Sequence, residues 1–113
     1  MKRALILGAS GGIGSALASA LAARGVAVTG LSRSTNGLDV TDETSVAQHL
    51  GTLEGPYDLI VVATGALEVA GAEPEKSLRA LTAQAMINQF ALNAVGPALV
   101  LKHAARLIAR DTP

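Results

Sequence analysis

The 113-residue chain has no cysteine and no tryptophan, and only one tyrosine and one phenylalanine. Without cysteine there is no disulfide, no thiolate nucleophile and no sulfur-ligated metal, while the redox compartment stays open because such a chain tolerates either state. With aromatics at 2% and apolar residues at 50%, a core must be assembled from Ala, Val, Leu and Ile. Such small side chains let helices pack closely on a sheet. Nine basic and nine acidic residues cancel, leaving no net field to draw a nucleic acid or a membrane surface. No apolar run comes near the ~20 residues that cross a bilayer. The run after Met1-Lys2-Arg3 breaks at Gly8, short of the ~7–15 residues of a signal-peptide core. A soluble cytoplasmic protein is expected, forming one domain or part of one.

What is present is ordered. Ala4-Leu5-Ile6-Leu7 is the continuous apolar run of a strand buried on both faces of a parallel sheet. Gly8-Ala9-Ser10-Gly11-Gly12-Ile13-Gly14 follows directly, and then Ile13, Leu17 and Leu21 recur every four residues as far as Arg24-Gly25. That is a helix with a glycine stop. Residues 26–31 suggest a second strand, and Leu38-Asp39-Val40 a short third one. Thr41 is expected to cap the next helix, with Asp42 and Glu43 in a first turn where the dipole favours anions. Gly55-Pro56 makes a turn before residues 59–63, the strongest strand signal in the chain. Residues 71–74 read as loop and 83–110 as one long helix, kinked or joined at Pro97. Strands alternating with helices predict an α/β fold of parallel strands joined by right-handed crossovers. His49 and His103 lie among polar neighbours without metal-ligand spacing; they are read as surface residues, and no metal is expected.

A glycine cluster between a buried strand and a helix start makes a tight turn, lets a pyrophosphate approach the backbone, and lets the helix pack on its strand. The candidates are Gly8, Ser10, Gly11, Gly12, Ile13 and Gly14. No Lys-Ser or Lys-Thr follows the last glycine, which excludes a P-loop. Gly8, Gly12 and Gly14 fit G-x-x-x-G-x-G; Gly8, Gly11 and Gly14 equally fit G-x-x-G-x-x-G. In this setting the chain resembles the short-chain dehydrogenase/reductase family. The first spacing is that of its classical type, the second that of its extended, sugar-nucleotide-modifying relatives, and the glycines alone admit both. Extended relatives often carry a His near the end of the fourth strand; its absence here favours the classical type.

The resemblance implies a Rossmann-type doubly wound parallel sheet, strand order 3-2-1-4, with residues 1–113 as a dinucleotide-binding domain incomplete at its C-terminus. In such a unit the end of the second strand faces the adenosine ribose, where an acid selects NAD and an Arg selects NADP. By alignment with the family, Ser32 takes the acid's place and Arg33 follows, flanked by the hydroxyls of Ser32 and Ser34. NADP is therefore expected, with NAD less favoured. Asp39 and Val40 resemble the family's adenine contact, or Asp39 serves only the turn before Asp42. Where the family carries Asn-Asn-Ala-Gly, this chain has Val62-Ala63-Thr64-Gly65. Ala63 and Gly65 can still lay backbone beside a ribose. The family's Thr before the first glycine is Leu7, so this is a divergent member. Asn93-Ala94-Val95-Gly96-Pro97 resembles the family's Asn-x-x-Gly-Pro, in which the Asn holds a water in a proton relay. Asn93 is the catalytic candidate, or else it mends the backbone beside Pro97.

The activity implied is hydride transfer between NADP(H) and a small carbonyl or alcohol, by a homodimer or homotetramer paired through the surface around residues 99–110. The resemblance places the catalytic Ser and a Tyr-x-x-x-Lys beyond residue 113. Tyr57 precedes the fourth strand and has Val61, not Lys, four residues on; it is not the proton donor. A non-catalytic nucleotide-binding or redox-sensing Rossmann domain competes with this reading. The expected strand order leaves residues 59–63 on an open apolar edge, an aggregation hazard. That favours the enzyme, whose further strands would cover it.

Overall fold

Alternation along the first strand sends Leu5 and Leu7 to one face of a sheet and Ala4 and Ile6 to the other, and all four are wholly buried. The computed structural model describes residues 1–65 and 77–111; the loop expected at residues 71–74 lies outside them. Strand β1 (Arg3–Leu7) is central, paired in parallel with β2 (Ala27–Leu31) on one side and β3 (Leu59–Val62) on the other. Helix α1 (Gly12–Ala23) crosses from β1 to β2 and packs on both. It closes at Gly25, whose φ of +82° places it in the left-handed region that glycine adopts without strain.

The opposite face holds the larger core. Helices α3 (Glu43–Gly51) and α5 (Gly96–Ala104) bring Val46, Leu50, Val100 and Ala104 against Leu5, Leu7, Leu31 and Tyr57. Asp58 joins the strand starts: its carboxylate accepts the N–H groups of Lys2 (2.8 Å) and Arg3 (3.0 Å). Those donors hold its pKa below the usual carboxylate range. Glu43 at the start of α3 accepts from Lys102 (2.7 Å) and bonds His103 (2.9 Å), tying α3 to α5. His103 is therefore half-buried in a cross-helix contact rather than a plain surface residue.

Several expectations need correction. Residues 38–40 form no strand, so the order 3-2-1-4 appears as β2-β1-β3. Leu38 donates its N–H to the Ser32 carbonyl (3.2 Å) and Asp39 to Ser45 Oγ (3.0 Å), leaving neither amide for a ladder. Their apolar pattern arises because Leu38 and Val40 enter the core. The cap of α3 is Asp42, whose carboxylate accepts the Thr44 N–H at 3.0 Å. Thr41 lies one residue before the cap position, and its hydroxyl points back to donate to Asp39 Oδ1 at 2.6 Å. Ile13 is 75% exposed and belongs to no core face.

The long helix is a composite: α4 (Ala83–Phe90), a π turn (Ala91–Val95), α5, and a 3₁₀ turn (Ala105–Leu107). Pro97 has no N–H for the carbonyl of Asn93, four residues earlier, and the wider π turn lies across that gap. The helical run ends at Leu107, short of residue 110. There the backbone of Tyr57 recruits the chain: Tyr57 N–H donates to the Leu107 carbonyl (2.7 Å) and Ala109 N–H to the Tyr57 carbonyl (2.8 Å). Among the described residues no helix is long and apolar enough to cross a membrane.

Leu107 and Leu101 share this run but not its environment: the first is wholly buried and the second 58% exposed. Leu107→Ala should destabilise the protein by ~2–5 kcal/mol, and Leu101→Ala by no more than about 0.5 kcal/mol. Urea denaturation of both variants checks this; equal losses would contradict the placement of the core.

Candidate functional site

β1, β2 and β3 end at one rim, and the loops leaving them enclose a cleft of about 520 Å³. The chain leaves β1 toward β2, while β3 lies on the other side of β1. This is a topological switch point, the place where open α/β sheets bind ligands beyond the carboxyl ends of their strands. Gly8, Ser10 and Gly11 come to the wall from the first loop, Ser32 and Arg33 from the second, and Ala63 and Gly65 from the third. Asp39 and Val40 close one side. Gly12, Ile13, Gly14 and Asn93 are candidates that do not line the cavity itself.

The glycines divide into two kinds. Gly8 has φ +89°, donates its N–H to the Leu31 carbonyl at 2.8 Å, and would carry a Cβ 2.7 Å from the Ala63 carbonyl oxygen. A Cβ on Gly14 would run into the Gly8 carbonyl. These two are required by the chain's own packing. Gly12 is not: a Cβ there meets nothing within 4 Å. Helix α1, which Gly12 opens, has no side-chain cap and no acid in its first turn. By contrast α2 (Arg33–Asn36), α3 and α4 are capped by Ser32, Asp42 and Thr82. The leading amides of α1 thus carry the helix's positive end with no side chain to answer it.

At the second loop, Ser32 is buried and its Oγ accepts the Thr35 N–H at 3.1 Å. Ser34 Oγ donates to Ser10 Oγ at 3.0 Å, linking this loop to the glycine loop. The side chain of Arg33, exposed at the start of α2, forms no hydrogen bond or ion pair with a described residue. Asp39 accepts both the hydroxyl (2.6 Å) and the N–H (3.0 Å) of Thr41. Those bonds, the hydroxyl first, hold its carboxyl below the ordinary range, and the charge of Arg33 adds to the effect.

Asn93 sits in the π turn and donates from Nδ2 to Gln89 Oε1 at 2.9 Å. Its Oδ1 lies 3.0 Å from where a Cβ of Gly65 would stand, so it packs directly against the third loop. Sequence reasoning missed Thr64, Asn88 and Leu92 on the wall. Thr64 has the plainest signal, a hydroxyl at the end of an apolar strand. Its Oγ1 is buried with no hydrogen-bond partner among the described residues.

The model of the NAD-dependent epimerase/dehydratase family matches residues 4–105. This chain belongs to that family. The resemblance to short-chain dehydrogenases/reductases and the Rossmann-type α/β class both stand. A small-chain dehydrogenase crystallised with NADPH is 30% identical, with a TM-score of 0.80 over 96% of this chain and 47% of its own. A short-chain dehydrogenase/reductase from Vibrio parahaemolyticus shares the fold at 21% identity and TM-score 0.75, over 97% of this chain and 58% of its own. A shikimate dehydrogenase (NADP(+)) from Helicobacter acinonychis is 49% identical over 63 residues, 56% of this chain and 24% of that protein. The chain spans about half the length of the solved dehydrogenases it matches.

The division among the glycines has a direct consequence. Gly12→Val should fold with native helix content, whereas Gly14→Val should lose at least ~1–3 kcal/mol or fail to fold, because backbone occupies the space it needs. Far-ultraviolet circular dichroism through thermal melting reads the difference; two equally stable variants would contradict it.

Proposed function

We propose that residues 1–113 form the dinucleotide-binding unit of a short-chain dehydrogenase/reductase of classical type, an oxidoreductase that uses NADP(H) to interconvert a small carbonyl and its alcohol. One observation carries this: the only helix N-terminus without a side-chain cap among α1 to α4 opens at the switch point on a glycine with empty space before it. Such an end favours an anion that approaches the backbone itself.

The residues present fit the cofactor. The amides of Gly12 and Ile13 suit a pyrophosphate, with Gly8, Gly11 and Gly14 holding the turn beneath it, where the Gly11 N–H donates to the Gly8 carbonyl (3.2 Å). Arg33, backed by Ser32 and Ser34, suits a 2′-phosphate. Asp39 with the amide of Val40 suits an adenine, since Asp39 Oδ2 receives no hydrogen bond from a described residue. Ala63 and Gly65 offer backbone to a ribose, and the orphaned hydroxyl of Thr64 gains a partner there. The bound nicotinamide supplies the hydride chemistry. Asn93, which donates to Gln89 and packs against Gly65, is the residue we assign to ordering a proton-carrying water. The small-chain dehydrogenase that binds NADPH and the NADP(+) shikimate dehydrogenase support the cofactor choice.

The protein is expected to bind NADPH at least tenfold more tightly than NADH, a difference of ~1.4 kcal/mol, modest for a charge-assisted contact. Calorimetric titration of the full-length protein with both cofactors measures it. Arg33→Ala should erase the preference and Gly12→Val should abolish binding of both. Equal wild-type affinities, or an unchanged preference in Arg33→Ala, would contradict the reading.

Two or four copies are proposed to associate. The face expected to do so moves toward the helix start: Val100, Ala104 and Leu107 are spent on the core, whereas Met86, Ile87 and Phe90 on α4 are 43%, 59% and 61% exposed. Light scattering at high micromolar concentration should give a dimer or tetramer, and Phe90→Asp a smaller species. A wild-type monomer would count against pairing.

A further inference from the structure

Helix α3 presents Ser45 and His49, one turn apart, to the loop that carries Arg33 and Asp39. His49 Nε2 stands 3.0 Å from the Asn36 carbonyl oxygen. Its Nδ1 is 2.8 Å from the Ser45 carbonyl and 3.3 Å from Ser45 Oγ. Ser45 Oγ in turn accepts the Asp39 N–H at 3.0 Å. Both ring nitrogens face carbonyls, which only accept; the Nε2–H tautomer bonds Asn36 and leaves Nδ1 to accept from the Ser45 hydroxyl rather than to donate to the Ser45 carbonyl. His49 is thus half-buried and committed to a loop, not the surface residue its polar neighbours suggested.

The loop it meets turns sharply at a glycine. Ser32 donates its N–H to Asn36 Oδ1 (3.0 Å) and accepts the Leu38 N–H on its carbonyl (3.2 Å). Between them Gly37 turns the chain at φ +76°. Arg33 lies before this turn and Asp39 after it. The bonds from α3 reach one residue on each side of the 37–38 pair, at Asn36 and at Asp39. The turn is closed from within by Gly37 N–H to the Arg33 carbonyl (3.0 Å) and by the Leu38 bond, and α3 braces both of its flanks from outside.

We propose that His49 is a positioning residue for the adenosine end of the cofactor. Through Asn36 directly, and through Ser45 to Asp39, it sets the separation at which Arg33 meets a 2′-phosphate while Asp39 meets the adenine. The inference rests on the NADP reading above and deepens it: discrimination between NADPH and NADH depends on a side chain that lines no part of the cleft. Its effect is preorganisation, since a loop already ordered has less freedom to lose when the phosphate arrives.

The test titrates NADPH and NADH into the full-length wild-type protein and into Arg33→Ala, His49→Leu, His49→Gln, Ser45→Ala and the double variant Arg33→Ala/His49→Leu. His49→Leu should weaken NADPH at least fivefold and NADH less than twofold, so the preference falls. His49→Gln, which places an amide N–H where Nε2 stands, should restore the preference to within twofold of wild type. The double variant should discriminate no worse than Arg33→Ala alone, because both changes act on one contact. Ser45→Ala should lower the preference in the same direction and serves as the deciding variant if His49→Leu does not fold. A preference that falls in Arg33→Ala but persists in His49→Leu or Ser45→Ala overturns this inference alone. A preference unchanged in Arg33→Ala overturns the cofactor reading and this inference with it.

Discussion

At Gly8 the backbone of β1 is approached by three other segments at once. Its N–H is taken by the Leu31 carbonyl at the end of β2, the Ala63 carbonyl after β3 occupies the space of its missing Cβ, and its own carbonyl faces Gly14 in α1. No side chain fits at either glycine without moving backbone. Because of this close approach, three strand ends and one helix start converge on a single point. The cleft is the space left in front of that convergence. Its positive helix end, its hydroxyl link between Ser10 and Ser34, and the backbone of Ala63 and Gly65 all take their places from it.

Much of this was legible before the structure, for physical reasons. A strand buried on both faces must be apolar without alternation, so residues 4–7 announce themselves, and a glycine cluster after such a strand has few other uses. What the sequence could not separate was the work of each glycine. Gly12 and Gly14 look alike in the text, yet one faces open space and the other faces a carbonyl. The same limit applies to Ser32, read as half of a phosphate cradle. Its buried Oγ also accepts the Thr35 N–H as the α2 cap, which leaves its O–H to donate, while Ser34 reaches across to the glycine loop.

The misreadings share a cause: a local pattern was satisfied by a distant partner. Leu38 and Val40 alternate like a strand because they enter a core shared with α3 and α5, not because they join the sheet. Thr41 is the exception, with the right chemistry for a cap but a hydroxyl given to Asp39 only two residues back. His49 and His103 sit among polar residues in sequence, yet each bonds an element many residues away. The chain's last described residues follow the same rule, since the unpaired backbone of Tyr57 pulls Ile108 and Ala109 out of the helical run.

The most direct test is a crystal structure of the full-length protein with NADP⁺. The pyrophosphate should lie against the amides of Gly12 and Ile13, the adenine beside Asp39 and Val40, and the guanidinium of Arg33 within hydrogen-bonding distance of the 2′-phosphate. A dinucleotide bound elsewhere, or one whose adenosine end turns away from Arg33 and Asp39, would contradict the assignment of this cleft.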